Sequence, residues 1–197
     1  VTANNPLGLI NVRKIGVFEV ADQYGRIMPQ VGIAEARVDQ TGAVDQAGGL
    51  GYDAPTTEII YLKDGSQPVT EIWEFYNVTA DAHPMHIHQV NFQVLGRYLL
   101  TPADGTGDVN GDGVVLSGEA LYNNDLGAAI PLYATDYGAQ DTVWVGPGQA
   151  IQVIMTFDRP GDYMWHCHIL SHEDHDMMRT LKVVGVAGDL DGMIDED

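Results

Sequence analysis

The chain has 197 residues, 45% of them hydrophobic, and its 28 acidic and 9 basic residues give a formal net charge of −19. Its length and composition are typical of one globular domain with its own core. The charge excludes nucleic acid and anionic membranes as partners, because both would repel it. No apolar stretch approaches the length of about 20 residues that a membrane span needs, and the first residues lack a signal-peptide pattern. The single cysteine rules out an internal disulfide.

Short runs in which apolar residues alternate with polar ones predict β-strands. In chain order the runs are RKIGVFEV (13–20), TEIIYL (57–62), EIWEFYNV (71–78), QVNFQVLGR (89–97), DTVWV (141–145), AIQVIMTF (150–157), DYMWHCH (162–168) and TLKVVGV (180–186). In AIQVIMTF one face carries Ile151, Val153, Met155 and Phe157, and the other carries Gln152 and Thr156. Turns rich in Gly and Pro separate the runs, and residues 38–56 are predicted to be a Gly-rich loop. The pattern predicts an all-β fold, either an antiparallel sandwich or a Greek-key barrel.

The segment HPMHIH (83–88) carries three of the seven histidines. Because side chains alternate along a strand, His86 and His88 share one face and His83 lies on the opposite one. This strand is therefore predicted to serve two different sites.

The segment DVNGDGVVLSGE (108–119) matches the calcium-loop template D-x-[DN]-x-[DN]-G-x5-E. The predicted oxygen ligands are Asp108, Asn110, Asp112, the backbone carbonyl of Val114, and Glu119. Leu116 is unfavourable at the ninth position of the loop because its side chain cannot hold a water molecule. A plain acidic turn is the alternative to a Ca²⁺ site.

The segment GDYMWHCHILSHEDHDMM (161–178) contains the other four histidines and the only cysteine. By the same alternation, His166 and His168 point to one side of the strand and Cys167 to the other. Four imidazoles can therefore converge on one side: His86, His88, His166 and His168. On the other side Cys167 can meet His83, and the following loop can return His172 and Met177.

Two imidazoles, a thiolate and a thioether form the ligand set of a blue-copper centre. Zinc also binds cysteine and histidine. A structural zinc site, however, would need neither a methionine nor two ligand sets on opposite faces of one strand. The residues therefore predict copper.

Three stretches carry a resemblance to a known family: EIWEFYNVTADAHPMHIHQVNFQVLGR, DTVWVGPGQAIQVIMTF and YMWHCHILSHEDHDMM. They resemble the last cupredoxin domain of the multicopper oxidases, and most closely the branch of bacterial spore-coat laccases and bilirubin oxidases. The resemblance covers residues 10–186. It implies a cupredoxin-like Greek-key sandwich or barrel with short helical turns over residues 1–187. It also marks 101–127 as an insertion and 188–197 as an acidic tail.

The resemblance assigns the ligands to copper types. It implies a type 1 copper held by His83, Cys167, His172 and Met177. It implies a type 2 copper ligand in His86, and type 3 copper ligands in His88, His166 and His168. It also makes Glu173 similar to an acidic residue near the oxygen and proton path, with a solvated carboxylate as the alternative.

The activity that the resemblance implies is that of a laccase-like oxidase. Phenols or aromatic amines lose single electrons at the type 1 copper, and dioxygen takes four electrons at a three-copper cluster to become water. A metal-ion oxidase acting on Mn(II) or Fe(II), and a self-standing blue-copper electron carrier, are the alternatives.

The family builds its three-copper cluster from eight histidines, and half of them come from two H-x-H pairs in the first cupredoxin domain. This chain supplies four. We therefore expect a partner in the N-terminal cupredoxin domain or domains of the same oxidase, covalent or associated. Because the chain begins without methionine, we expect a processed product or part of a longer protein. The resemblance also implies a secreted, cell-surface or periplasmic location.

The remaining candidate residues are expected to have plainer roles. His175 is predicted to be a surface or substrate-rim residue, and Met178 a packing residue. The glycosylation sequon at 77–79 is predicted to be incidental. Three aromatic residues are predicted to lie in the core: Trp73, Trp144 and Trp165.

Overall fold

The computed structural model describes residues 9–35, 37–38, 44–45, 48–102 and 122–185. The predicted calcium-loop ligands lie outside the described residues, as does the acidic tail: Asp108, Asn110, Asp112, Val114, Glu119 and residues 188–197. The calcium site therefore stays a prediction.

Strands dominate the described ranges. The strands are β1 (Asn11–Ala21), β2 (Ile27–Ile33), β3 (Arg37–Val38), β4 (Val44–Asp45), β5 (Gly48–Leu50), β6 (Glu58–Tyr61), β7 (Val69–Asn77), β8 (His83–Ile87), β9 (Gln93–Leu99), β10 (Ala129–Ile130), β11 (Thr142–Val145), β12 (Gln149–Phe157), β13 (Gly161–Cys167) and β14 (Met178–Val184). A 3₁₀ turn at Ala134–Asp136 and the short helix α1 (Leu170–Glu173) complete these ranges. None of the helices formed by the described residues is long and apolar enough to cross a membrane.

The strands form two main sheets. One sheet has the order β10-β9-β12-β7-β1-β2-β5, the other has the order β11-β8-β13-β14-β6, and β3 pairs with β4 alone. The prediction of an all-β fold is confirmed. The expected antiparallel pairing holds except between β1 and β7 and between β6 and β14, which run parallel. These parallel contacts join strands that are distant in the sequence, so the alternation pattern gave no sign of them.

The main core lies between the two sheets. The predicted inward face of β12 is confirmed, because Ile151, Val153, Met155 and Phe157 are all buried. From the facing sheet, Trp165 meets Trp73 edge-to-face with ring centroids 5.7 Å apart. Both rings are fully buried, as predicted. Cys167 belongs to the same core, so one of the candidate metal ligands lies among buried hydrophobic residues.

The outer face of the larger sheet is also covered. Tyr76 and Ala150 form a second core with Leu100 and the partly buried Tyr122. Gln152 does point to this face, as predicted, but it is buried and not solvated. Its side chain donates a hydrogen bond to Glu74 and accepts one from the Tyr98 hydroxyl at 2.9 Å. The cost of burying the amide is thereby offset by its partners.

The sequence pattern did not reveal β2, because Pro29 interrupts its apolar alternation. Pro29 pairs with Glu19 of β1, whereas β5 pairs only with residues 31–33 of β2. Among the described residues, the other edge of β2 is therefore unpaired at Pro29. The missing amide hydrogen of Pro29 costs no hydrogen bond to β5 there. The predicted loop at 38–56 also contains short strands, among them β5.

Buried ion pairs tie distant segments together. Arg13 pairs with Glu71 at 3.0 Å and Arg179 with Glu58 at 3.1 Å. Arg179 also donates to the backbone carbonyl oxygens of Gly51 at 3.1 Å and of Pro55 at 2.8 Å. The segment before β6 is thus held against the start of β14, next to the loop that follows β13.

Candidate metal centres

Strand alternation separates two groups of histidines on β8 and β13. His166 lies opposite His86, and Cys167 lies opposite Met85, in the antiparallel pairing of these strands. His83, Met85 and Cys167 face the core and are buried. His86 and His166 point to the other face of the sheet, where their rings stand 5.2 Å apart. The structure thus places these side chains on two sides of one strand, as the alternation predicts, and their role as metal ligands stays a prediction.

The core site brings together three donor atoms. The Cys167 Sγ lies 3.8 Å from His83 Nδ1 and 3.9 Å from His172 Nδ1, and the two nitrogens are 3.3 Å apart. Typical metal–nitrogen and metal–sulfur bonds of about 2.0–2.3 Å at trigonal angles would separate the donors by about 3.5–3.8 Å. The donor atoms therefore already have the spacing that one trigonally bound ion needs.

The loop after β13 supplies the second histidine and a methionine. Helix α1 begins just after the strand, and the His172 amide donates to the Ile169 carbonyl oxygen at 2.9 Å. The chain then returns, because the Cys167 amide donates to the Met177 carbonyl oxygen at 2.9 Å. Met177 is fully buried in the same core cluster as Cys167. The predicted ligands His83, Cys167, His172 and Met177 are thus neighbours.

Burial keeps these donors neutral. Burial first, and nearby His172 second, lower the pKa of His83 to about 4. Burial also lowers the pKa of His172. Burial raises the pKa of the Cys167 thiol to about 11, against a lowering by the Ile169 amide. A bound metal ion would have to displace the thiol proton, so we expect ion binding to release it.

The second site lies on the outer face of the smaller sheet. Ring centroids there are 4.9 Å apart for His86 and His88 and 5.5 Å apart for His88 and His166. The Nε2 atoms of His88 and His166 face each other at 3.4 Å. His168 lies at the rim of the group, 5.7 Å from both His86 and His166 between ring centroids. His88 and His168 are exposed, so the group opens to the surface.

Hydrogen bonds orient two of these rings. His86 Nδ1 lies 2.8 Å from the Asp141 carbonyl oxygen, and His166 Nδ1 lies 3.1 Å from the Cys167 carbonyl oxygen. A carbonyl oxygen only accepts, so each Nδ1 carries the hydrogen and each Nε2 keeps a free lone pair. Glu173 adds a carboxylate oxygen 3.3 Å from His166 Nδ1. The donor set therefore suits metal ions bound through Nε2.

Other candidate residues fall as follows. His175 is exposed, as predicted, and Met178 is half-buried opposite His166 in the pairing of β13 with β14. The prediction that Trp144 lies in the core is wrong. It is 43% exposed, because β11 is an edge strand and turns this ring outward against Tyr133.

Sequence reasoning missed the residues that hold the histidines in place. The Asp141 carbonyl oxygen and the Thr142 hydroxyl both contact His86, and the Thr79 hydroxyl contacts His83 at 2.9 Å. The sequence offered only a weak sign of these contacts. The residues involved are polar and either flank a histidine segment, as Thr79 does, or lie on the paired strand or next to it, as Thr142 and Asp141 do.

A comparison with family models places the chain. The model described as multicopper oxidase matches residues 38–185, most of the chain. This chain belongs to the multicopper oxidase family. The match contains both histidine groups, and family membership implies copper as the metal. The resemblance that the three stretches carry is thereby confirmed.

Curated relatives in the multicopper oxidase family include laccases and a bilirubin oxidase. The laccase of Bacillus subtilis is 39% identical over 115 residues, which make up 58% of this chain and 20% of that laccase. The bilirubin oxidase of Albifimbria verrucaria is 34% identical over 110 residues, or 55% of this chain and 15% of that enzyme. This multicopper oxidase chain thus spans about a fifth, or less, of these relatives.

A solved structure shows the same fold. A variant of the Aquifex aeolicus multicopper oxidase superposes with a TM-score of 0.55 at 24% identity, covering 94% of this chain and 31% of that one. This likeness supports the predicted cupredoxin-like architecture.

Proposed function

We propose that this chain is the copper-binding C-terminal domain, residues 1–187, of a laccase-like multicopper oxidase. The observation that carries the proposal is the pair of donor groups on opposite sides of β13. Cys167 belongs to the buried group, and its two sequence neighbours, His166 and His168, belong to the group at the surface.

The proposed ligand roles follow the two groups. Type 1 copper is bound by His83, Cys167, His172 and Met177. Type 2 copper is bound by His86, and type 3 copper by His88, His166 and His168. Copper held by these residues would supply the one-electron oxidation of a reducing substrate and the four-electron reduction of dioxygen to water.

The chain's own residues connect the two sites. Cys167 is bonded through the backbone to His166 and His168, so a short covalent path joins the buried thiolate to the surface imidazoles. Glu173 is the proposed proton-transfer group, because its carboxylate lies against His166 Nδ1 and is 22% exposed. It therefore has access to both the histidine group and solvent.

The surface group supports a partner domain. Its four imidazoles are too few to hold three closely spaced metal ions, and His88 and His168 face outward. The proposed partner is the N-terminal cupredoxin domain of the same oxidase, covalent or associated, which brings two H-x-H pairs to this face. The short span of the chain relative to its relatives agrees with this proposal.

The proposed donors are phenols and aromatic amines, and the proposed location is outside the cytoplasm. The proposed donors and the proposed location both rest on the similarity to laccases. Oxidation assays of the complete oxidase test the proposed donors. No turnover of any phenol or aromatic amine, together with fast turnover of Mn(II) or Fe(II), would favour a metal-ion oxidase instead.

The type 1 assignment is tested by Cys167→Ser. Only the thiolate can give the intense blue sulfur-to-copper charge-transfer absorption, so the variant should lose this colour and keep its fold. Copper titration followed by absorption spectroscopy and circular dichroism measures both. His175→Ala is the matched control, because His175 is exposed in the same loop and is no proposed ligand. Blue colour in the serine variant would refute the assignment.

A further inference from the structure

The turn between β7 and β8 begins with the buried residues Asn77 and Thr79, and it holds the side of the His83 ring that faces away from Cys167. His83 Nε2 lies 2.9 Å from the Thr79 hydroxyl, while Nδ1 faces Cys167 Sγ at 3.8 Å. We propose that Asn77 and Thr79 are positioning residues that fix the hydrogen of His83 on Nε2 and leave Nδ1 free to bind copper. The inference rests on the proposed role of His83 as a type 1 ligand.

The orientation of the Asn77 amide is set by its neighbours. Its nitrogen donates to the backbone carbonyl oxygens of Asp81 at 2.7 Å and of Val145 at 3.1 Å. Its oxygen accepts from the Thr79 backbone amide at 3.0 Å. A flipped amide would set an NH₂ group against a backbone N–H and an oxygen against two carbonyl oxygens. The Asn77 oxygen therefore faces Thr79.

The Thr79 hydroxyl has one hydrogen to donate, and two of its neighbours are oxygens that can only accept it. These are the Asn77 Oδ1 at 2.8 Å and the Asp81 carbonyl oxygen at 3.2 Å. Without that hydrogen between them, the hydroxyl and the Asn77 oxygen would repel each other at this distance. The hydroxyl must therefore accept from its other neighbours, the Asp81 amide at 3.2 Å and His83 Nε2.

It follows that His83 donates from Nε2. A neutral imidazole has a single N–H, so Nδ1 keeps its lone pair, directed at the buried site. His86, three residues along the same segment, is held in the opposite way, with the hydrogen on Nδ1. Hydrogen bonds to fixed acceptors thus make two histidines of one strand present different nitrogens.

The same geometry gives the sequon at 77–79 a role. The Asn77 side chain is fully buried and Thr79 is 4% exposed, so a glycan cannot be attached in the folded protein. The pair instead forms a support for the His83 ring, because its hydrogen bonds join the turn to itself, to Val145 of β11 and to His83.

The first test needs no metal. We expect the ring ¹⁵N shifts of His83 in the metal-free wild-type chain to show the hydrogen on Nε2. In Thr79→Val, which keeps the shape and removes the hydroxyl, we expect a mixture of the two tautomers. Thr79→Ser should restore the wild-type tautomer. Thr70→Val is the matched control. Thr70 lies near the other end of β7, and its hydroxyl forms a hydrogen bond with the Thr156 hydroxyl. A wild-type hydrogen on Nδ1 would overturn the inference.

The second test uses copper. We expect Thr79→Val to bind copper at the blue site about 10–100-fold more weakly than the wild type, with rescue by Thr79→Ser. Circular dichroism must show that both variants are folded. If Thr79→Val is folded and keeps both the wild-type copper affinity and the wild-type tautomer of His83, the inference is contradicted and the proposed function is not. Absence of blue colour in the wild type would instead contradict the proposed function, and the metal-free result would still stand.

Discussion

Met177 is a thioether in a position where packing and metal chemistry coincide. Its side chain is fully buried, and its backbone carbonyl oxygen accepts a hydrogen bond from the Cys167 amide at 2.9 Å. A methionine could fill this space as an ordinary core residue. The two roles can be distinguished by the reduction potential of copper bound at the proposed type 1 site. Replacing a residue that only packs would leave this potential unchanged.

We predict that Met177→Leu keeps the blue colour and raises the reduction potential. Leucine has similar volume but offers no donor, and loss of a weak axial donor destabilises Cu(II) more than Cu(I). A tenfold change in relative affinity corresponds to about 60 mV for one electron, and we expect a shift of at least this size. Spectroelectrochemical titration measures it. An unchanged potential would remove Met177 from the ligand set.

Between β13 and β14, the chain makes a strained return to the proposed type 1 site. Asp176 has a φ of 121°, a conformation that costs free energy in any residue other than glycine. Its carboxylate oxygen accepts a hydrogen bond from the Tyr52 amide at 3.2 Å. The segment before β6 thus anchors the residue that directly precedes Met177.

We predict that Asp176→Gly is more stable than Asp176→Ala by about 1–3 kcal/mol in free energy of unfolding. Both variants lose the carboxylate, but only alanine keeps the strain. Denaturant unfolding of the metal-free variants measures the difference. At the exposed Asp162 within β13, the order should reverse, because glycine weakens a strand by about 0.5–1 kcal/mol relative to alanine. A glycine variant no more stable than alanine at 176 would show that the strain is absent.

The elements that could be predicted from sequence were those with an uninterrupted local pattern. β12 and β13 were found because one face of each carries apolar residues at every second position, and β7 because aromatic and β-branched residues recur along it. β2 was missed at Pro29, and the parallel pairing of β1 with β7 depends on contacts between segments far apart in the chain. Local alternation therefore predicts where strands lie, but it does not predict which strands pair with each other.

At the scale of the whole molecule, the two ligand groups were predictable because alternation in two strands already divides the histidines. The supports of these ligands were not, since Thr79 and Asp141 act through a turn and a neighbouring strand. The same limit applies to the further ligands that we propose a partner domain adds to the surface group. Nothing in the local pattern of this chain describes the domain proposed to complete it.

The central claim is that this chain holds one complete copper site and half of another. The direct measurement is copper content and oxygen consumption of the purified monomeric chain, with an electron donor present and its oligomeric state checked in the same sample. We predict one firmly bound copper with blue colour, an empty or partly filled cluster, and no four-electron reduction of dioxygen until a domain carrying two H-x-H pairs is added. A monomer that fills the cluster and reduces dioxygen to water without a partner would contradict the claim.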